Sequence, residues 1–236
     1  MAALPETPPR GWVIYWHGGG WQVGSPERFT VSSYAWLEAG YGVVLPSYRR
    51  MPQYHFGAIR ADLITSLQHI KTWWSATVGH HTFPVILLGM SAGGHIASIA
   101  GLDKEIHAAT GWDTMKIAGV IACAGVLDLG LMAQNPLIRR LAGSPDSDRF
   151  RAANPITHLH GQAPSFLLIH GTADGMVPYE AALSFRHQYQ ITNPSGSCEL
   201  ITMNKGTHLD TGYWMFQKGA IQDRVLQQAD YWLSNF

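Results

Sequence analysis

Charge is scarce in this chain. Only 14% of its 236 residues are charged, and 16 basic side chains are matched by 16 acidic ones. A zero net charge excludes the long-range attraction that draws a protein to nucleic acid or to an anionic membrane. Cysteine is almost absent. Cys123 and Cys198 make no disulfide framework, and both stand in or beside apolar, strand-like runs, so they read as buried free thiols. No apolar run approaches the roughly 18 residues of a membrane span. The first ten residues hold three prolines and no apolar signal core, so secretion is not indicated and a cytoplasmic location is expected. Metal-ligand spacings such as His-Glu-x-x-His or paired Cys-x-x-Cys are missing, and no Gly-x-Gly-x-x-Gly follows a strand. Neither a metal nor another cofactor is expected. There is no internal repeat, charge block or low-complexity segment.

What is present is an alternation. Apolar runs of strand length fall at Trp12–Trp16, Gly42–Tyr48, Val85–Gly89, Ile117–Ala122, Ser165–His170 and Cys198–Thr202. They are apolar on both faces, as in a parallel sheet covered by helices. Between them, Ile59, Leu63, Leu67, Ile70 and Trp74 recur at three- and four-residue steps and predict a helix from about Gly57 to Trp74. Weaker versions of that pattern cover Pro178–Tyr189 and Lys218–Leu233. The length and the pattern predict one α/β domain over residues 1–236, built on an open, mostly parallel, doubly wound sheet. The longest connection predicts a small cap-like insertion over residues 125–163. Its Leu127–Met132 and Leu137–Leu141 read as short helices, and Asn154-Pro155-Ile156 reads as the turn back to the sheet.

Ligands on such sheets sit beyond the carboxyl ends of the strands, and the chemistry-bearing motifs fall there. Gly89-Met90-Ser91-Ala92-Gly93-Gly94 joins an apolar strand to a small-residue helix, the context of a nucleophile elbow. A serine hydroxyl is a weak nucleophile alone and needs a base, an acid and oxyanion donors. His17-Gly18-Gly19-Gly20-Trp21 leaves the first strand and supplies backbone N–H groups with no side chains in the way. Gly18 and Gly19 are assigned as donors, with Ala92 as the third. In the chain order Ser, Asp, His, Asp174 follows the strand ending at His170, and His208 follows the last strand. His208 would take the proton of Ser91, and Asp174 would fix its tautomer. Asp128 is a serious rival for the acid, while Asp210 and Glu180 end no predicted strand. His17 and His170 read as loop-stabilising, His95 as buried packing, and His80, His81, His158, His160 and His187 as loop or surface residues. Trp21 reads as a pocket wall, with Tyr213 and Trp214 as further pocket candidates.

In these motifs the chain resembles the α/β-hydrolases, in the branch of carboxylesterases whose oxyanion loop reads His-Gly-Gly-Gly. That branch includes hormone-sensitive-lipase-like, feruloyl-esterase-like and kynurenine-formamidase groups. The resemblance runs through His17–Trp21, Pro46-Ser47-Tyr48-Arg49, Gly89–Gly94, Asn154-Pro155-Ile156, His170–Asp174 with Val177-Pro178, and His208. It implies Ser91 as nucleophile, Asp174 as acid, His208 as base, and Gly18, Gly19 and Ala92 as oxyanion donors. Three departures stand out. The family places two more strands ahead of the glycine loop, so a sheet of about six strands, an open pocket and an exposed, dimer-forming edge are expected. Ser47 stands where the family has aspartate, with loss of that ion pairing. Asp210 lies beside the base, where it would raise the base's pKa.

The function expected is hydrolysis of a small carboxylic ester or amide through an acyl-enzyme. A kynurenine-formamidase-type reaction on an arylformamide is an alternative, because Trp21-Gln22 is similar to that group. A product-releasing or otherwise non-hydrolytic biosynthetic enzyme is another, since fold does not fix function. A scaffold module would leave three coordinated motifs unexplained.

Overall fold

Seven strands build one sheet. In this computed structural model the structure describes residues 1–77, 84–112 and 117–236. The strands are β1 (Ala2–Ala3), β2 (Trp12–Trp16), β3 (Gly42–Val44), β4 (Val85–Met90), β5 (Ile117–Cys123), β6 (Phe166–Gly171) and β7 (Cys198–Met203), in the spatial order β1-β3-β2-β4-β5-β6-β7. From β3 to β7 every pairing is parallel. Expected as about six strands, the sheet has one more. Ala2 and Ala3 pair antiparallel with Val44 and Val43, and the Met1 amino group donates to Leu45 O. That strand covers part of the edge expected to be open. The run from Gly42 is shorter than its apolar length: Leu45 still exchanges backbone hydrogen bonds with Met1, and beyond it the chain leaves the ladder and brings Tyr48 beside the glycine loop.

Eight α-helices cover the sheet among the described residues: α1 (Tyr34–Glu38), α2 (Phe56–Thr77), α3 (Ala92–Leu102), α4 (Lys104–Thr110), α5 (Pro136–Ala142), α6 (Asp148–Ala153), α7 (Glu180–Thr192) and α8 (Ala220–Ser234). Alternation along the strands splits the core in two. Trp12, Ile14, Trp16, Val85 and Leu87 face α2, α3 and the 125–163 segment. Val13, Tyr15, Ile86 and Leu88 face α1, α8 and Trp214. All eleven residues of α3 are buried, so that helix can lie close to the sheet only because most of its side chains are small. In α2, Ile59, Leu63, Leu67 and Ile70 are buried, and Trp74 leans on Trp12 with ring centroids 5.1 Å apart. Both cysteines are free and buried. His80 and His81 lie outside the described residues. No helix of the described residues is long and apolar enough to cross a membrane.

Candidate active site

The site forms where β2, β4, β6 and β7 end. Strand β4 runs into α3 through Ser91 with no residue to spare, and Ser91 takes φ 57°, ψ −122°. A non-glycine residue in that region is strained, and the neighbours must hold it there. They do so through the backbone: Ser91 N–H donates to Cys123 O at 2.8 Å, and Ser91 O accepts from His95 N–H at 3.0 Å. The crossing of strand and helix leaves no space at two positions. A Cβ at Gly89 would sit 2.1 Å from Gly93 O, and a Cβ at Gly93 would sit 1.9 Å from Trp16 O.

The glycine loop lies against this elbow. Gly18 packs on Met90 O and Ser91 Cβ, so closely that a Cβ there would be 3.0 and 3.4 Å away. Gly19, at φ +116°, turns the loop, and its carbonyl accepts from Gln22 and Val23 N–H. Among the described residues no hydrogen bond occupies the N–H of Gly18, Gly19 or Ala92. Ala92 opens α3, where the aligned peptide dipoles add a positive field. His17 braces the loop from below. Its ring is stacked between Phe29 and Tyr48, its Nδ1 donates to Gly18 O at 2.8 Å, and Tyr48 Oη donates to His17 O at 3.0 Å. Burial pushes the His17 imidazole pKa down, so the brace is neutral.

The acid and the imidazole are joined. His208 Nδ1 donates to Asp174 Oδ2 at 2.8 Å, and both side chains are nearly shut off from solvent. Asp174 Oδ1 accepts the N–H of Met176 and Val177 at 2.8 and 2.9 Å. Burial alone would push this carboxyl up. Hydrogen bonds from His170, His208, Val177 and Met176 outweigh burial and hold it well below the ordinary carboxylate range. The segment after His208 returns to the elbow, where Gly212 packs on Met90 Sδ. Among the described residues no hydrogen bond links Ser91 Oγ to His208. Such contacts are often long without substrate and tighten on binding.

The other candidates fall elsewhere. Asp128 caps the 129–132 turn through Gly130 N–H and accepts from Ser184 Oγ. Asp210 accepts from Thr207 N–H and Oγ1, so its carboxylate is committed to its own turn and not to the imidazole. Glu180 opens α7. Trp21, 2% exposed, is packed in the core, and its Nε1–H donates to His95 Nδ1 at 3.3 Å. Trp214 is core as well, edge-on to Trp36 at 5.9 Å, because it faces α1 across the sheet from the insertion. With Tyr213 it borders a groove of about 520 Å³ behind the His208 loop, whose lining includes neither Ser91 nor the glycine loop. Arg49 keeps an acidic partner despite Ser47: Asp62 of α2 binds it through both carboxylate oxygens.

One link was invisible in the chain order. His95 Nε2–H donates to Ala153 O at 2.6 Å while Nδ1 accepts from Trp21. One ring thus joins the elbow helix, the glycine loop and the far end of the insertion. Leu137 of α5 lies over Gly20, close enough that a Cβ on Gly20 would touch it at 3.6 Å. Among the described residues no cluster of three or more His, Cys, Asp or Glu is placed to hold a metal.

The BD-FAE family model matches residues 4–189. Esterase LipC of Mycobacterium tuberculosis is 30% identical over 200 residues, 76% of this chain and 48% of that protein. The probable carboxylic ester hydrolase LipM of the same organism is 26% identical over 72% of this chain and 43% of its own length. The chain therefore spans about half the length of the curated relatives it matches. Among solved structures, esterase 2 of Thermogutta terrifontis with butyrate bound aligns over 99% of this chain and 87% of that one, with TM-score 0.74 and 23% identity. A truncated carbohydrate esterase from gut microbiota aligns over 98% and 90%, with TM-score 0.82 and 17% identity. The fold is the α/β-hydrolase fold, and the chain belongs to the BD-FAE family.

Proposed function

We propose that this BD-FAE family member is a serine carboxylesterase that cleaves a small ester, or a small amide, through an acyl-enzyme. The observation that carries the reading is the His208–Asp174 hydrogen bond at 2.8 Å, in a site whose nucleophile candidate sits on a strained elbow against Gly18. Asp174 keeps the proton of His208 on Nδ1, which leaves Nε2 free to accept the Ser91 proton as Oγ attacks the carbonyl carbon. The carbonyl π-bond pair moves to oxygen, and the N–H groups of Gly18, Gly19 and Ala92 receive that charge. Collapse expels the alcohol or amine with the proton held by His208, leaving Ser91 acylated. His208 then takes a proton from water, the hydroxide attacks the acyl carbon, and the acid departs as Ser91 recovers its proton.

The names of the relatives support the ester class, since LipC is an esterase and LipM a probable carboxylic ester hydrolase. The Thermogutta esterase holds butyrate or propionate and is phosphorylated by paraoxon, which makes short acyl groups the first arm to assay. The test is a panel of p-nitrophenyl esters from acetate to octanoate, with N-formylkynurenine beside it, run on wild type and Ser91→Ala. Expected are turnover of the short esters, stoichiometric labelling by paraoxon, and loss of both in Ser91→Ala with the fold retained. Activity surviving in Ser91→Ala refutes the mechanism. Faster turnover of the formamide than of any ester replaces the substrate class, and labelling without turnover of any simple substrate favours a biosynthetic enzyme.

A further inference from the structure

We infer that His170 is a positioning residue of the hydrolytic site: its Nε2–H ties down the Val177 carbonyl beside Asp174 and faces the Asp174 oxygen that holds His208, and so keeps that carboxylate in place. The inference rests on the mechanism proposed above and adds a fourth side chain to it.

His170 is the penultimate residue of β6, four residues before Asp174, and is 1% exposed. Its Nε2 lies 3.2 Å from Asp174 Oδ2 and 3.1 Å from Val177 O. Both neighbours are acceptors with no proton to give, so Nε2 must carry the hydrogen, and the ring is the Nε2–H tautomer or the imidazolium. Asp174 therefore accepts two backbone N–H groups at Oδ1 and the His208 imidazole at Oδ2. The single His170 Nε2–H, whose hydrogen bond goes to Val177 O, also faces Oδ2 from 3.2 Å. Tyr179 packs edge-on against the His170 ring at 5.8 Å, with its Oη on Thr202 Oγ1, and keeps that ring from turning away.

The carboxylate cannot swing about its χ2 without breaking bonds on both sides, so His208 finds it in one orientation, and angular error in that orientation is costly to rate.

The test compares wild type, His170→Leu and His170→Gln on a short p-nitrophenyl ester, with Ser91→Ala as the inactive reference. In His170→Leu, kcat is expected to fall on the order of 10-fold with KM little changed. Glutamine, which keeps an N–H donor, is expected to restore most of kcat. An unchanged kcat in His170→Leu, a KM that rises as much as kcat falls, or a loss that glutamine does not restore overturns the inference. Where the leucine variant does not fold, long-range 1H–15N spectra of the wild type decide: protonation at His170 Nε2 is required, and a ring protonated on Nδ1 alone overturns it. The spectra do not depend on turnover, so a failed Ser91→Ala control and a failed His170 assignment are told apart.

Discussion

Each side chain at the site is held by something with no room to move, and single substitutions read this directly. A methyl group on Gly93 would meet Trp16 O at 1.9 Å and His17 O at 2.8 Å. The strand end that supplies the glycine loop must then retreat from the elbow. Gly93→Ala is expected to lower kcat on the order of 100-fold, because the N–H groups proposed to hold the oxyanion are displaced by a fraction of an ångström or more. Steady-state rates on a short ester check it, and an unchanged kcat would contradict the contact. His95 makes a different prediction. Burial pushes its imidazole down to about 4, against the donation to Ala153 O. An unfolded chain binds a proton there near pH 6.5, so stability is expected to fall as pH drops from about 6.5 to about 4 and to level off below that. Urea midpoints measured through that interval should decline less in His95→Asn than in wild type. His17, also lowered by burial, leaves a residual slope in both proteins.

Elements were legible in the sequence to the extent that one physical signal dominated them. Strands buried on both faces announce themselves as apolar runs, and Trp12–Trp16, Val85–Met90, Ile117–Cys123, Phe166–Gly171 and Cys198–Met203 lie within a residue of where the pattern puts them. Helix α2 was legible from four buried residues at helical spacing. Hidden were β1, two alanines whose pairing is set by β3, and the short helices α1, α4 and α6, which carry too few turns for a period. The site's chain order was readable because Ser91, Asp174 and His208 each follow a strand. The placement of Trp21 and Trp214 was not, since proximity in sequence to a loop does not say which face of the sheet a ring enters. One helix contact carries its own test. Trp232 of α8 lies on Gly119 of β5, where an added Cβ would sit 2.3 Å from the indole. Gly119→Ala is expected to cost about 2 kcal/mol through overpacking. A thermal melt should show Tm lower by several degrees, with paraoxon labelling at low temperature unchanged.

At the scale of the whole molecule, basic and acidic side chains balance at pH 7, and on acidification individual buried groups add their own steps to the loss of stability. Asp174 sits well below the ordinary carboxylate range in the folded state. Its contribution is therefore fully present above about pH 4, the unfolded value, and is lost as pH falls through the lower folded value. Asp103 behaves alike, since Arg60 outweighs the burial that would push its carboxyl up. The windows for His95 and for these two carboxylates thus succeed one another down the pH scale. Asp174→Asn is expected to inactivate the protein at pH 7 and to shallow its acid unfolding below pH 4. An unfolding curve parallel to wild type in that range would contradict the hydrogen-bond network.

Parallel pairing sends the loops of Ser91, Asp174 and His208 out at one rim of the sheet. The turn between α7 and β7, exposed from Pro194 to Ser197, lies at the other. A tether fixed at Ser195 would hold the molecule on a bead or electrode with the rim that carries the candidate site turned to the flowing liquid, an orientation that random coupling through surface amines does not impose.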